Sequence, residues 1–551
     1  MPYVYEVSGR YVCLTTYEDR KIAEEAGFQF SKTVSDPRPV WWTNRPEVAY
    51  RLLEYCEASL RDTLEEKFKS WPDASESRYV ELSRLMYSPR YRAEDYQIAG
   101  ARHILGRKYS YLWFEAGTGK TFTATLALEF ITNTTRKTNV VICPSFLKYT
   151  WREEIDDKSF GFLDVLIINS AKDILRNADI VIIPDSLIGK YTITEQLLNL
   201  NLGLVVVDEG HRFKNEESGR CKLLTSRINL DHTWLGSQAE HVCVMSGTPM
   251  PNYKPIELWP IINAFAPQAL GFMSKYEYGR RYCESVTDEY GTSYGGAANL
   301  EDLISRLKSS GYVLHQELRE GDVPPQASDT IIYLDPNEES RKVQKAQEQL
   351  MKTLPLEEIL KIACGESSKI DAKVRFKSQF SDVSPKDFIA ELRKLAGEQA
   401  AEVCTPILKD IVKTGGEPIV VFAWHKTVIT KLKIGLAEFN PLVIDGATPM
   451  SERQNIVNEY QNGNGKVIIL NIVAGGLGFT LTKASKVYFV EFDWVEGNND
   501  QCVRRLRRKG QTKVVEPYYF VFKNSLAHLM LGVLGKKTKN KTAVNAALLK
   551  E

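Results

Sequence analysis

The segment Phe114-Glu115-Ala116-Gly117-Thr118-Gly119-Lys120-Thr121 combines two glycines, a lysine and a hydroxyl at the spacing that holds a phosphate chain. Gly117 and Gly119 free the loop backbone, so the N–H groups of Gly117, Thr118 and Gly119 can turn toward an anion. A helix opening at Lys120 adds the partial positive charge of its N-terminus. Lys120 has the reach for β- and γ-phosphates of ATP, and Thr121 offers an oxygen to Mg2+. The strict pattern has Gly where Phe114 stands, so the match rests on its setting: the apolar run YLWF precedes it and the helical stretch FTATLALEFI follows.

Two further groups complete the chemistry of phosphoryl transfer. The apolar run Val205-Val206-Val207 ends in Asp208 and Glu209. Adjacent acids at a strand tip place Asp208 to hold Mg2+ and Glu209 to orient and deprotonate the attacking water. The stretch Gln501 to Gln511 carries Arg505 and Arg508 three residues apart. That spacing predicts one helix face presenting both cations to the γ-phosphate as charge develops on it. Lys120, Glu209, Arg505 and Arg508 are therefore the expected catalytic set, and the expectation is that loop and arginines embrace one triphosphate.

These groups need parallel sheets to position them, and the hydropathy pattern supplies two. Short β-branched runs near 111, 139, 164, 179, 203 and 241 alternate with helical segments, and runs near 418, 441, 466, 486 and 516 repeat the pattern. The fold class expected is α/β, with two tandem RecA-like parallel-sheet lobes. The first spans 89–325 and the second 326–551, with a helical excursion over about 337–413 in the second. Residues 1–88 read as a small N-terminal α+β accessory domain containing the pair Trp41 and Trp42. A chain of 551 residues is too long for one ordinary domain.

Lys and Arg number 71 against 70 Asp and Glu, so a nucleic-acid surface must be a local stripe rather than a whole-molecule field. The nine cysteines lack metal-ligand spacing, which predicts reduced thiols. No apolar run reaches the roughly 18 residues of a membrane span, and the N-terminus lacks a signal layout. The expected compartment is the cytoplasm, in a bacterium or a phage-infected host. The basic run Lys536, Lys537, Lys539 and Lys541 reads first as a solvated tail.

Taken in order, these motifs resemble the Swi/Snf-like branch of helicase superfamily two, and most of all its annealing-helicase and fork-remodelling group with bacterial or phage relatives. The likeness covers about residues 90 to 525. Tyr96-Gln97 resembles the adenine-reading glutamine, and the family's phosphate loop carries the acid matched by Glu115. Cys143 to Leu147, with Trp151 and Glu154, is similar to a strand-contacting segment. Asp208-Glu209-Gly210-His211-Arg212-Phe213-Lys214-Asn215 resembles the family's acid motif. Ser246-Gly247-Thr248-Pro249 followed by Asn252 resembles its coupling motif, which implies a coupling role for His211, Ser246 and Thr248. Asp445 to Thr448 with Arg453, and Gly475 to Thr482 including Gly478, resemble its DNA-tracking motifs.

Three positions depart from the family pattern. Arg507 stands where His is usual, Leu314-His315-Gln316-Glu317 where paired arginines are common, and Asn498-Asn499 where Trp494 is normally followed by Asn-Pro.

The resemblance implies movement along one strand of double-stranded or forked DNA, fuelled by ATP and Mg2+, with rewinding of branched structures. Hydroxyls, lysines and helix starts hold phosphates without reading bases, so binding is expected to ignore sequence and to weaken with salt. The candidate contacts are Ser145, Lys148, Ser186, His425, Lys426, Thr448, Thr480 and Thr482. In the accessory domain Trp41 or Trp42 is a candidate to stack on an unpaired base, set against the commoner use of aromatic pairs as core. Two rival readings are a strand-separating DNA or RNA helicase and a non-hydrolysing DNA clamp.

Overall fold

The computed structural model describes residues 2–69 and 92–532, except 8, 27, 32–39, 44–45, 51, 160–162, 226–234, 289–290, 319–320, 322, 355–358, 360–361, 363–375, 378–381 and 476–478. The tail lysines and Gly478, with Gly476 and Leu477, lie outside the described residues. Two compact units account for the rest. The chain up to Gln316, apart from Glu115–Thr118, forms one, and the chain from Glu317, together with Glu115–Thr118, forms the other.

The first unit starts with a four-stranded antiparallel sheet in the order β1 (Tyr3–Val7), β2 (Arg10–Leu14), β4 (Val40–Thr43), β3 (Gln29–Ser31). Strand alternation sends Val4, Cys13 and Trp41 to one face, where helices Arg20–Ala26 and Ala58–Lys69 bury them. Trp41 is thus core, with Phe30 set against it edge-on, and Trp42 on the other face carries the Arg10 guanidinium 5.0 Å above its ring.

A seven-stranded sheet follows, built from β5 (Tyr109–Phe114), β6 (Thr138–Cys143), β7 (Val165–Ile167), β8 (Ile180–Pro184), β9 (Leu202–Val207), β10 (His241–Met245) and β13 (Val313–Gln316). Its order is β13-β5-β10-β9-β6-β8-β7, and every pairing is parallel. Helices cover both faces, so the strands read as unbroken apolar runs and separate two cores. The antiparallel pair β11 (Ser285–Asp288) and β12 (Gly291–Tyr294) lies between β10 and β13 in sequence.

The second unit holds a six-stranded parallel sheet in the order β14-β21-β20-β17-β19-β18. Its strands are β14 (Thr330–Leu334), β17 (Ile419–Ala423), β18 (Leu442–Ile444), β19 (Val467–Asn471), β20 (Lys486–Phe489) and β21 (Glu516–Phe522). The helical excursion contains Glu338–Thr353 and Pro385–Gly415, and between them falls the short pair β15 (Phe376–Lys377) and β16 (Asp382–Val383). Ser384 caps the long helix by accepting from the Asp387 N–H, and Gly416 ends it at φ +66°. The pattern thus forecast both parallel sheets and missed β13 and β14. Among the described residues no helix is long and apolar enough to cross a membrane.

Candidate nucleotide site and nucleic-acid surface

The phosphate loop is shaped by conformation before chemistry. Gly117 and Gly119 sit at φ +95° and +79°, a region costly for other residues, and a Cβ at Gly119 would lie 2.3 Å from Gln97 Nε2. Helix Lys120–Thr135 begins directly after Gly119 with no side-chain cap hydrogen bond, which leaves its first turn open to an anion. Lys120 Nζ donates to the Phe114 carbonyl at 3.0 Å. Gln97 lies in the capping box of helix Asp95–Leu105, where its Oε1 accepts from the Glu94 N–H at 3.0 Å, and its amide nitrogen faces the loop.

The two acids occupy the tip of β9. Asp208 accepts from Trp151 Nε1 and from the Glu209 N–H, each at 2.9 Å. Burial, and next the charge of Glu209, push its carboxyl up to about 6, partly countered by the Trp151 hydrogen bond and by the positive charge of Lys120. Asp208 and Glu209 thus put two adjacent carboxylates at one strand tip, a donor set whose chemistry suits a divalent cation. Glu209 adopts φ +51°, a left-handed conformation that costs a side-chain-bearing residue about 1–3 kcal/mol. The sharp turn brings its carboxylate within 3.3 Å of His211 Nδ1, which also lies 3.1 Å from Ser246 Oγ. Ser246 Oγ in turn accepts from the Thr248 N–H at 3.1 Å, so His211, Ser246 and Thr248 form one connected group.

The same turn reaches outward through its cations. Arg212 pairs with the buried Asp185, and Lys214 donates to Glu257 at 2.8 Å. Glu257 also accepts from the backbone and side-chain amides of Asn252, so Asn252 belongs to this network. Ser145 and Ser186, at the ends of neighbouring strands β6 and β8, share a hydrogen bond at 3.2 Å on the surface. Lys148, close by in sequence, donates to Asn169 Oδ1.

In the second unit several of the polar residues grip backbone. Arg453 donates to the carbonyls of Thr448 (2.9 Å) and Asp445 (3.1 Å), and Thr448 Oγ1 is bonded to Asp445. Gln511 Nε2 donates to the carbonyls of Ala484, Thr482 and Leu506, which ties down the segment bearing the arginines. His425 Nδ1 lies 2.6 Å from Glu491, whose carboxylate also accepts from the backbone N–H groups of Trp424 and His425. Lys426 is exposed at the start of helix Lys426–Gly435. Thr480 accepts from Arg508 Nη1 and Thr482 from Gln461, so these two hydroxyls already have protein donors.

One expectation needs correction. The helix ends at Val503, and Arg504 to Gly510 form turns, so Arg505 and Arg508 do not share a helix face. The chain tightens because the N–H groups of Arg505 and Leu506 bond three residues back, while Leu506 is drawn fully into the core. Three residues escaped the sequence reading. Asp185 follows an apolar run, a common place for a solvated acid. Glu491 was hidden inside a strand pattern. Arg504 pairs with Asp500 (2.9 Å) and with Glu115, both in its own unit. Asn498 and Asn499 have a clear use: both hold the turn at the buried Asp493, with Asn499 Oδ1 accepting from its N–H at 2.7 Å.

Comparison with known proteins fits this geometry. The model of the SNF2-related domain matches residues 96–389, and that of the helicase conserved C-terminal domain matches 403–510. The chain belongs to the SNF2-related family. The SNF2-related match holds the segment Phe114–Thr121 and the acids Asp208 and Glu209, and the helicase C-terminal match holds Arg505 and Arg508. Among the relatives of this SNF2-related chain is the SWI/SNF-related matrix-associated actin-dependent regulator of chromatin subfamily A-like protein 1 of Xenopus laevis, 27% identical over 73% of this chain and 38% of the relative. Another is the DNA annealing helicase and endonuclease ZRANB3 of Bos taurus, 26% identical over 73% of this chain and 36% of the relative. The chain thus spans under two fifths of the length of these relatives. A solved structure, the Sulfolobus solfataricus SWI2/SNF2 ATPase core in complex with dsDNA, aligns over 86% of this chain and 97% of that one, with 18% identity and a TM-score of 0.38.

Proposed function

We propose that this SNF2-related chain is an ATP-driven translocase on double-stranded DNA that remodels or reanneals branched structures such as forks, without reading sequence. The observation that carries the reading is the continuous path from Glu209 through His211 to Ser246 and Thr248, because it joins the hydrolytic acid to the neighbouring strand tip. A motor needs such a path, whereas a passive clamp does not. Relatives named as a DNA annealing helicase support the choice of substrate.

In this proposal Gln97, Glu115, Gly117, Thr118, Gly119 and Lys120, with Gly478, form the nucleotide contacts. Thr121 and Asp208 would hold Mg2+, whose role when bound is to neutralise phosphate charge. The oxygen donors of Thr121 and Asp208 are of the kind that suits a divalent cation. Glu209 accepts the proton of the attacking water, and Arg505 and Arg508 stabilise the charge developing on the γ-phosphate. Ser145, Lys148, Ser186, His425, Lys426, Thr448, Thr480 and Thr482 remain the proposed DNA contacts. The proposal extends to a reducing cytosol, because the eight described cysteines are all free, buried thiols.

The test is ATP hydrolysis with single-stranded, duplex and forked DNA, for the wild type and Glu209→Gln. Duplex and forked DNA should stimulate the wild type more than single strands do. Glu209→Gln should bind ATP and DNA yet lose about 10²–10⁴-fold in turnover, the range for removing a general base. Hydrolysis indifferent to DNA, or strand separation without any duplex preference, would reject the translocase.

A further inference from the structure

Asp185 closes strand β8, and only 1% of its side chain is exposed. Its Oδ2 takes both Arg212 Nε and Arg220 Nη1, the latter at 3.0 Å, while its Oδ1 has no hydrogen-bond partner among the described residues. A buried carboxylate oxygen with idle lone pairs is costly, so a fold that keeps one invites a functional explanation.

Its position supplies one. Asp185 and Asp208 hang from successive carbonyls of β6: the Asp185 N–H donates to Cys143 and the Asp208 N–H to Ile142, each at 2.8 Å. Arg212 belongs to the turn begun by the nucleotide acids, and its N–H donates to the Glu209 carbonyl at 2.9 Å. On the other side, Asp185 leads directly into Ser186, which is bonded to Ser145. The loop after it is clamped to the helix bearing Arg220. Gly189 sits at φ +89°, and a Cβ there would come within 2.6 Å of the Gly219 carbonyl carbon. One carboxylate therefore links the acid turn, helix Gly219–Thr225 and the serine pair.

The side chains of Arg212 and Arg220 are about a third exposed, at 38% and 33%, and both bond one oxygen of Asp185 while the other has no hydrogen-bond partner among the described residues. A shift of Arg212 from Oδ2 to Oδ1 would keep its partner and satisfy the idle oxygen, giving a second arrangement. Coupling between sites requires a two-state element of this kind. We propose that Asp185 is a positioning residue that couples the nucleotide acids to the Ser145–Ser186 surface through a shift of Arg212 between its carboxylate oxygens. The inference rests on the function proposed above and names the relay within it.

The experiment compares wild type, Asp185→Asn, Arg220→Gln and the double variant Asp185→Asn/Arg212→Gln, each with and without a blunt duplex. Asp185→Asn should keep its DNA-free turnover and its KM for ATP within about twofold, while stimulation by duplex falls about tenfold or more, within the range of ordinary coupling. Arg220→Gln should show a smaller loss of the same kind. The double variant should be no worse than Asp185→Asn alone, since both changes cut one link. Unchanged stimulation in the single variants would overturn the relay, and so would a DNA-free rate that falls in step with the stimulated one. If circular dichroism shows that Asp185→Asn does not fold, Arg220→Gln decides by the same two outcomes. A wild type that duplex fails to stimulate defeats the proposed function and the relay together; a stimulated wild type with unaffected variants defeats the relay alone.

Discussion

The turn at Asp208–Asn215 and the turn at Gln501–Gln511 are both dense in polar side chains, yet they are held in different ways. In the first, side chain meets side chain: Asp208 with Trp151, Glu209 with His211, His211 with Ser246, Arg212 with Asp185 and Lys214 with Glu257. In the second, and in its neighbour at Asp445–Arg453, bonds to backbone stand beside the pairs of Arg504 with Asp500 and Glu115 and of Arg508 with Thr480: Gln511 takes three carbonyls, Arg507 takes Pro324 and Arg453 takes two. Side-chain pairs can exchange partners while the backbone stays put. Side-chain-to-backbone bonds fix the course of the chain itself. The first arrangement suits a region that changes state, and the second a region that presents fixed groups.

Three perturbations sharpen that contrast. The largest effect belongs to the exchangeable network. His211→Ala should leave DNA-free hydrolysis nearly intact and reduce duplex stimulation by about 5–150-fold, the span of typical coupling energies, as read by phosphate release. A proportional fall in both rates would instead make His211 part of the hydrolytic machinery. Next comes the fixed network. Gln511→Ala strips donors from three backbone carbonyls and an acceptor from the N–H groups of Thr512 and Lys513. It should destabilise the second unit by about 1–3 kcal/mol in urea unfolding, the cost of orphaning buried polar groups. If it altered coupling while leaving stability alone, the distinction between the two turns would be broken.

The third effect is on pH. His103, near the end of helix Asp95–Leu105, is held well below the usual histidine range, at about 3, by burial first and the Arg107 charge second. Folding therefore favours its neutral form. The unfolded chain takes up the proton below about 6.5, so stability is full above that value and declines as pH falls toward 3. The decline should reach at most about 1.4 kcal/mol per pH unit, and His103→Gln should flatten part of it in melts between pH 7 and pH 4. An unchanged pH slope in that variant would assign the effect to other groups.

The sequence alone carried the parallel character of both sheets, because strands buried on two faces must be apolar along their whole length, as in Val205–Val207 and Ile180–Ile183. It also carried the phosphate loop, since left-handed backbone at Gly117 and Gly119 demands glycine and glycine is visible as a letter. Local spacing failed at Arg505 and Arg508. Whether a chain continues as a helix there depended on burying Leu506 and on Gln511 clasping distant carbonyls, neither of which is written within the motif. Position in three dimensions likewise decided the partners of Arg212: Asp185 precedes it by 27 residues, and only the neighbouring packing of β8, β6 and β9 brings that acid within reach. Conformational needs of single residues are local and legible, whereas the choice of a partner for a long charged side chain belongs to the packed sheet.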